Sequence, residues 1–121
     1  MEERIRFVDY KGKRILLEDF SSIRDEREFL ALIKQAEGIV QSQPPKSVLV
    51  AVELTGARFS STISQASKEA SARNTPYVKA SAMVGVKGLM QVMLKAVSTF
   101  AHRELVSFDT REQAMEWLIR Q

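Results

Sequence analysis

Residues 47–62 read SVLVAVELTGARFSST, and this stretch decides the fold class because it joins a buried strand to the start of a helix. Residues 47–54 have the pattern of a strand that is apolar on both faces up to Glu53. Strands of this kind belong to parallel sheets that helices cover on both sides. A helical pattern begins near Ile63, so the chain passes from strand to helix through a Thr-Gly turn and a row of hydroxyls.

The hydroxyl row is the one place where the sequence offers a site. Ser60, Ser61 and Thr62 meet the free backbone N–H groups of a helix start, which side-chain oxygens can cap or an anion can occupy. The helix dipole would favour a phosphate on one of these hydroxyls. Arg58 just before them could pair with it or could equally be a solvated loop arginine. Gly56 lies in the turn that leads to them. Two interpretations stay open, capping alone and a phosphorylation or anion site.

The patterns on either side extend the same architecture to the whole chain. We predict one α/β domain over residues 1–121, with about five strands in a mostly parallel sheet, an N-terminal β-hairpin and four helices, most of them on one face. The hairpin turns at Lys11-Gly12, where glycine supplies a positive φ. The predicted order is β-β-α-β-α-β-α-β-α, with strands at 5–10, 13–20, 47–54, 77–84 and 105–108, and helices from Asp25-Glu26 to Gln43, at 60–74, at 89–102 and after a cap at Asp109 or Thr110.

Composition limits the class of protein. With 121 residues, 45% of them apolar and 27% charged, the chain can form one packed core and is too short for two domains. It has no cysteine and one histidine, so we predict no metal site and no cofactor. The N-terminus lacks a signal-peptide pattern and no run approaches the length of a membrane helix, so we expect a cytoplasmic location.

The charge pattern argues against a nucleic-acid partner. The net charge is +3, but the signs alternate along the chain, as in Arg24-Asp25-Glu26-Arg27-Glu28. Nucleic-acid surfaces are usually basic stripes with interleaved aromatic residues, and no such stripe occurs here. We therefore do not expect nucleic-acid binding.

The titratable residues do not form a catalytic constellation. Glu18 and Asp19 are adjacent in a strand, so they point to opposite faces and cannot act as an acid–base pair. His102 has no serine, cysteine or carboxylate motif around it that would complete a triad. We predict that the chain is not an enzyme. Four cations could meet an anion, although a solvated surface is the favoured interpretation: Lys79, Lys87, Lys95 and Arg103.

The third predicted helix is apolar on more than one side. One stripe consists of Leu89, Val92, Met93, Ala96 and Phe100, and the other of Met90, Leu94, Val97 and Ala101. A helix of this kind must bury both sides. We assign one side to the sheet and take the second stripe, with Lys87 beside it, as a surface for a protein partner, a second copy in a homodimer, a ligand or a membrane surface. The alternative is a helix sunk between the sheet and the last helix and covered by Trp117.

Five stretches spread over nearly the whole chain carry a resemblance to a known family: Tyr10-Lys11-Gly12-Lys13, Leu54-Thr55-Gly56-Ala57-Arg58-Phe59, Pro76-Tyr77-Val78-Lys79-Ala80, Val84-Gly85-Val86-Lys87-Gly88-Leu89 and Phe108-Asp109-Thr110. The chain resembles the SpoIIAA-like proteins. That group is related to the STAS domains of anti-sigma-factor antagonists and to the Sec-fourteen-type lipid-transfer fold. The resemblance implies a STAS-like fold and a non-enzymatic regulatory or binding role.

The same resemblance implies roles for individual hydroxyls. In the antagonists a serine at the start of the second helix is phosphorylated. By resemblance, Thr55-Gly56-Ala57 matches the turn before that helix and Phe59 matches an aromatic residue. Ser61 then takes the position of an aspartate, and Thr62 takes the position of the phosphoacceptor. This chain departs from the pattern because it has no aspartate there.

Two functions follow from these features. We predict a STAS-like protein-interaction module whose contact surface combines the 56–62 loop with the third helix, with modification of the hydroxyls as its regulation. The alternative is a carrier or sensor that binds a small amphipathic or anionic, lipid-like ligand between the second and third helices, lined by Ala66, Ala70, Met90 or Met93. A closed pocket of more than about 300 Å³ favours the ligand, and an exposed apolar patch favours the partner.

Overall fold

A computed structural model describes residues 3–121 of the chain and has the predicted element order. Over these residues five strands and four helices alternate after the hairpin, which confirms the α/β class. The elements are β1 (Ile5–Tyr10), β2 (Lys13–Asp19), α1 (Glu26–Gln41), β3 (Val48–Glu53), α2 (Ser61–Asn74), β4 (Val78–Val84), α3 (Leu89–Ala101), β5 (Val106–Phe108) and α4 (Arg111–Leu118).

The described strands form one mixed sheet in which neighbours in sequence are neighbours in space. β1 and β2 pair antiparallel, beginning with Ile5 opposite Glu18, and the other strand pairs are parallel. The hairpin turn places Lys11 at φ 48° and Gly12 at φ 84°, which is the pair of positive angles of a type I′ turn. The predicted hairpin and the parallel sheet that follows it are both confirmed.

The sheet separates two apolar cores of unequal size. The larger core lies between the sheet and α1, α2 and α3, and the smaller core lies between the sheet and α4. Three of the described helices therefore share one face, as the sequence predicts. Trp117 of α4 packs against Phe108 in the smaller core, with ring centroids 5.6 Å apart. The interpretation in which Trp117 covers the third helix is wrong, because the sheet stands between them.

Local caps explain where several helices begin and end. The Asp25 carboxylate accepts two backbone hydrogen bonds, of 2.9 and 3.2 Å, at the start of α1. Thr110, rather than Asp109, caps α4 and forms a capping box with Gln113. α3 ends at Ala101, and His102 follows it in the left-handed conformation with φ 53°. His102 is therefore the C-cap of α3 rather than part of its last turn.

The predicted ends of β3 extend one residue too far on each side, since the strand spans Val48–Glu53. Leu54 already belongs to the turn, because its carbonyl accepts a hydrogen bond from the backbone N of Ala57 at 3.0 Å. None of the described helices combines the length and the apolar character that a membrane span requires.

Candidate functional site

Ser60 is the N-cap of α2. Its Oγ accepts a hydrogen bond from the backbone N of Ile63 at 3.2 Å and donates one to Oε1 of Glu26 at 2.6 Å. The capping interpretation is confirmed for this residue. Ser61 and Thr62 occupy the first turn of α2 and are exposed. They are the accessible hydroxyls of the row, and their modification stays a prediction.

The surface groove beside this cap has mixed charge. Its volume is about 350 Å³, and its lining consists of Arg24, Asp25, Glu26, Arg58, Ser60 and Ile63. A phosphate on Ser60 would meet two arginines and two carboxylates in the same space, so attraction and repulsion would oppose each other. It would also displace the hydrogen bond that Ser60 makes with Glu26. The arrangement favours capping at Ser60 over anion binding.

Gly56 allows the loop before α2 to approach the connection between β2 and α1. Its φ is +73°, and an added Cβ would lie 3.2 Å from Oγ of Ser22. Two backbone hydrogen bonds of 2.9 Å hold the loops together, from Ser22 N to the carbonyl of Thr55 and from Arg58 N to the carbonyl of Ile23. Gly56 thus serves the close packing of two loops, which places the start of α2 beside α1.

The stripe of α3 predicted as a partner surface is buried. Leu94, Val97 and Ala101 are 8%, 1% and 5% exposed, and the first two pack in the larger core. Met90 is half-buried against the same core. The prediction of a partner surface on this stripe is wrong, because the larger core already covers it. Lys87, just before α3, is exposed as expected.

The opposite stripe of α3 faces solvent. Leu89, Val92 and Phe100 are 69%, 65% and 50% exposed, and Ala96 between them is exposed as well. The sequence pattern identifies both stripes, but periodicity does not say which of them meets the sheet. The candidate contact surface is therefore the solvent-facing stripe of Leu89, Val92, Ala96 and Phe100, which we call the α3 stripe.

A shallow groove of about 400 Å³ lies beside the α3 stripe. Its lining consists of Lys68 from α2 and of Val92, Lys95, Ala96, Thr99 and Phe100 from α3. It combines apolar side chains with two ammonium groups and includes no carboxylate. Lys79 and Arg103 do not line this groove, so the four cations noted in the sequence do not converge there.

The interior between the sheet and α1, α2 and α3 contains a cavity of only about 70 Å³. Ala70 lines it, as the carrier interpretation expects, whereas Ala66, Met90 and Met93 do not. A pocket for an organic ligand usually exceeds about 300 Å³. The interior is thus too small for the amphipathic ligand of that interpretation.

Glu18 is a half-buried carboxyl beneath α2. It lines the 70 Å³ cavity and an adjoining one of about 50 Å³. Burial raises the pKa of Glu18 to about 7, and the charge of Arg103 opposes this rise. No described residue donates a hydrogen bond to this carboxyl. Asp19 points to the other face of the sheet, towards Arg111, so the predicted divergence of the two carboxyls is confirmed.

Arg103 is held near Glu18 without forming an ion pair with it. Its Nη1 donates to Oγ of Ser81, its Nε to Oγ1 of Thr75 at 3.3 Å, and its Nη2 to the carbonyl of Ser71 at 3.5 Å. Burial lowers the pKa of Arg103, and the charge of Glu18 opposes that shift. The guanidinium is therefore fixed by neutral oxygens and acts on Glu18 through space.

A second polar cluster, which the sequence analysis missed, stands at the carboxyl ends of β2 and β3. Nη2 of Arg111 lies 3.3 Å from Oε1 of Glu53 and 3.9 Å from Oδ2 of Asp19. Burial opposes ionisation of Asp19, but hydrogen bonds from Ser21 and the charges of nearby arginines outweigh it and lower the Asp19 pKa. The one sign of this cluster in the sequence is Glu53, a charged residue at the end of an apolar run. The ion pairs of Arg111 with Glu53 and Asp19 therefore attach the start of α4 to the sheet.

Comparison of this chain with protein-family models, with curated proteins and with solved structures finds no match. Only the geometry of the chain itself therefore indicates its function. The two strongest features of that geometry are the α3 stripe with its groove and the half-buried carboxyl of Glu18.

Proposed function

We propose that the chain is a binding module that holds an acidic amphipathic helix of a partner protein in the groove beside α3. One observation carries the proposal. The three large apolar side chains that are exposed within residues 3–121, Leu89, Val92 and Phe100, all lie on this one helix. Exposed apolar surface concentrated on a single element is typical of an interaction site.

The spacing of the α3 stripe suits a helical partner. Its apolar positions follow one another at intervals of three and four residues and span about 16 Å of helix axis. Lys68 of α2 forms part of the groove beside them. A helix laid into a groove with anchors at helical spacing is a recurrent mode of recognition. A membrane would contact the stripe but leave the groove unfilled, so the shape favours a protein helix.

The positive charges around the groove indicate the kind of partner that it binds. Lys68 and Lys95 line the groove, Lys87 precedes α3, and α3 itself contains no acidic residue. Carboxylates on the partner would complement these ammonium groups and speed association. A symmetric dimer through the same surface would place these lysines near their own copies, because a two-fold interface contacts itself. The charge therefore favours a different, acidic chain over a second copy.

The proposal keeps the SpoIIAA-like resemblance as its family hypothesis. The element order and the mixed five-stranded sheet are consistent with a STAS-like arrangement. Within it we propose a non-enzymatic cytoplasmic regulator, with Ser61 and Thr62 as accessible hydroxyls for modification. The carrier function is not favoured, because the interior cavity measures about 70 Å³.

A photo-crosslinking experiment in the native host tests the groove. A benzophenone amino acid replaces Val92, and a matched control carries it at Glu112, an exposed position of α4 on the other face of the sheet. We expect a discrete protein adduct from position 92 and none from position 112. The captured chain should contain a helix with an apolar face flanked by carboxylates.

Binding of the purified partner then provides the quantitative test. Val92→Glu should weaken its affinity by at least about tenfold, since it places a charge in the centre of the contact. Glu112→Lys should leave the affinity unchanged. An adduct of twice the chain mass would assign the surface to self-association, and a lipid adduct would assign it to a membrane. Either result, or the absence of any adduct from position 92, would contradict the proposal.

A further inference from the structure

β1 forms one edge of the sheet, and its outer side has no partner strand within residues 3–121. The strand spans Ile5–Tyr10, and its pairing with β2 continues in one register without a bulge. Proteins usually blunt such edges with short strands, bulges, prolines or lysines. β5, at the opposite edge, is 3 residues long, whereas β1 is longer and contains neither proline nor lysine. The edge that β1 forms is therefore open to a further strand.

The register of the hairpin determines which backbone groups face this open edge. The carbonyl of Arg4, just before β1, accepts a hydrogen bond of 2.8 Å from the backbone N of Asp19 at the end of β2. In an antiparallel pair, residues that bond across the pair alternate with residues whose N–H and C=O groups point away from it. The backbone groups of Ile5, Phe7 and Asp9 therefore point to the open edge.

These outward-facing residues are spaced symmetrically about Phe7. In an antiparallel pair with a second copy of the chain, Phe7 would lie opposite itself, and Ile5 would lie opposite Asp9 of the second copy. Each of these pairs brings outward-facing N–H and C=O groups together, so all the free backbone groups of the edge can bond across the interface. A two-fold interface requires such self-complementarity, because the same surface contacts itself.

The charges of β1 favour the same register. Arg6 and Asp9 are the charged residues of the strand, and their charges cancel. With Phe7 at the centre, Arg6 lies opposite Val8 of the second copy, so no like charges face each other. A register centred on Arg6 would place two guanidinium groups opposite each other, and one centred on Asp9 would do the same with two carboxylates. A register centred on Val8 would leave Ile5 without a partner in β1 of the second copy.

Phe7 would supply the apolar centre of the interface. Its side chain is half-buried against the larger core, and the guanidinium carbon of Arg14 on β2 lies 3.6 Å from its ring centroid. Part of the side chain thus remains exposed, and the equivalent ring of the second copy would cover it. Aromatic pairs across neighbouring strands stabilise a sheet.

We propose that two copies of the chain associate by antiparallel pairing of their β1 strands, which joins the two sheets into one. The two-fold axis is perpendicular to the sheet at Phe7, so α1, α2 and α3 of both copies lie on the same face. α3 connects β4 with β5 at the far edge of the sheet, so the groove beside it stays free in both copies.

The dimer presents two grooves on one face of the joined sheet. A partner with two acidic helices would engage both of them and bind with higher avidity than a partner with one. This consequence rests on the proposed function, whereas the pairing of the β1 strands does not.

Sedimentation equilibrium tests the pairing, and we expect a monomer–dimer equilibrium for the unaltered chain. Asp9 is exposed and its N–H points to the open edge, so proline at this position removes no hydrogen bond of the hairpin. Asp9→Pro should raise the dissociation constant at least about tenfold, because it removes a donor and places its ring in the interface. The matched control, Asp9→Ala, keeps the N–H and should change the dissociation constant by less than about threefold. Val92→Glu, on the α3 stripe, should leave the dimer unchanged.

Three results of this experiment would overturn the proposal. One is an unaltered chain that stays monomeric at concentrations up to about 1 mM. Another is an equal dissociation constant for Asp9→Pro and Asp9→Ala. The third is loss of the dimer in Val92→Glu, which would assign self-association to the α3 stripe instead.

If Asp9→Pro does not fold, disulfide trapping decides. The chain has no cysteine, so Arg6→Cys and Val8→Cys each introduce a single thiol. In an oxidised equimolar mixture the disulfide should join position 6 to position 8, because these positions lie opposite each other and pairs without backbone hydrogen bonds have the closest side chains. The two variants differ in mass, so mass spectrometry distinguishes the mixed disulfide from the symmetric ones. Random pairing, an excess of either symmetric disulfide or no disulfide at all would exclude the proposed pairing.

Discussion

Gly85 lies against the backbone of Thr55, so closely that a Cβ on Gly85 would come within 2.8 Å of both N and Cα of Thr55. The two residues follow β3 and β4, so the connections after these strands meet with no room for a side chain. Gly85 also has φ +77°, which other residues rarely adopt. The close approach of the two loops therefore requires glycine at position 85 both because there is no space for a Cβ and because the backbone has a positive φ.

Gly85→Ala should lower the free energy of unfolding by about 3 kcal/mol or more, since steric overlap with backbone adds to the strain of a positive φ. The matched control is Gly38→Ala, because an added Cβ at this position within α1 meets no atom within 4 Å. That change should stabilise the chain by about 1 kcal/mol through helix propensity. Urea unfolding of both variants checks the prediction, and equal midpoints would contradict it.

Arg111→Met should weaken the attachment of α4 to the sheet. The substitution leaves Glu53, which is 7% exposed, with hydrogen bonds from Thr55 but without its cationic partner. Because the Arg111 side chain is 41% exposed, water partly compensates, and we expect a loss of about 1–2 kcal/mol. Arg120→Met, which removes an exposed arginine after α4, should change stability by less than about 0.5 kcal/mol. Similar losses in the two variants would show that the Glu53 contact contributes little.

Ser60→Ala should lower the free energy of unfolding by about 1 kcal/mol, because it removes the oxygen that caps the backbone N–H of Ile63. Ser61→Ala and Thr62→Ala alter exposed positions in the first turn of α2 and should change stability by less than about 0.5 kcal/mol. Thermal unfolding of the three variants separates the capping residue from its neighbours. A larger effect at Ser61 or Thr62 than at Ser60 would mean that another hydroxyl stabilises the start of α2.

The fold could be predicted from the sequence because its signals are local and agree with one another. Lys11-Gly12 specifies the hairpin turn, and the apolar run that β3 contains specifies a strand buried on both faces. Hydroxyls at Ser60 and Thr110 mark helix starts that the structure confirms. Each signal depends on a few consecutive residues and not on distant contacts.

The site could not be predicted to the same extent because it depends on how distant elements meet. Glu18 and Arg103 are 85 positions apart in the sequence. They line the same small cavity because Ser81 of the sheet and residues at the end of α2 hold Arg103 there. The orientation of α3 is a similar case, since both of its stripes are apolar. Periodicity identifies the faces of a helix, whereas the neighbouring elements determine which face is covered.

A pair of leucines on α3 tests the orientation of that helix directly. Leu94→Ala, at a position that is 8% exposed, should lower the free energy of unfolding by about 2–4 kcal/mol because it leaves a cavity in the larger core. Leu89→Ala, at a position that is 69% exposed, should change stability by less than about 0.5 kcal/mol. Both variants make the same substitution in the same helix, so urea unfolding isolates the effect of burial. A larger loss from Leu89→Ala would reverse the assignment of the two stripes.

Glu18→Gln should make stability less dependent on pH. In the folded chain burial raises the Glu18 pKa from 4.5 to about 7, so the folded state keeps a proton that the unfolded state has lost. The free energy of unfolding therefore falls as the pH rises from about 4.5 to about 7. Above that range Glu18 makes no further contribution to the pH dependence. Between pH 5 and pH 8 the free energy of unfolding of the unaltered chain should fall by on the order of 2–3 kcal/mol more than that of Glu18→Gln.

Asp19 and Glu37 contribute in the opposite direction, because their folded-state pKa values are lowered and their contribution is lost as the pH falls. Both carboxyls are present in the variant as well, so the difference between the two proteins isolates Glu18. Urea unfolding at several pH values from 5 to 8 gives this difference, and Glu104→Gln should follow the unaltered chain throughout. If the curves of Glu18→Gln and the unaltered chain run parallel, Glu18 ionises in the folded state as it does in the unfolded state, and its burial does not control its charge.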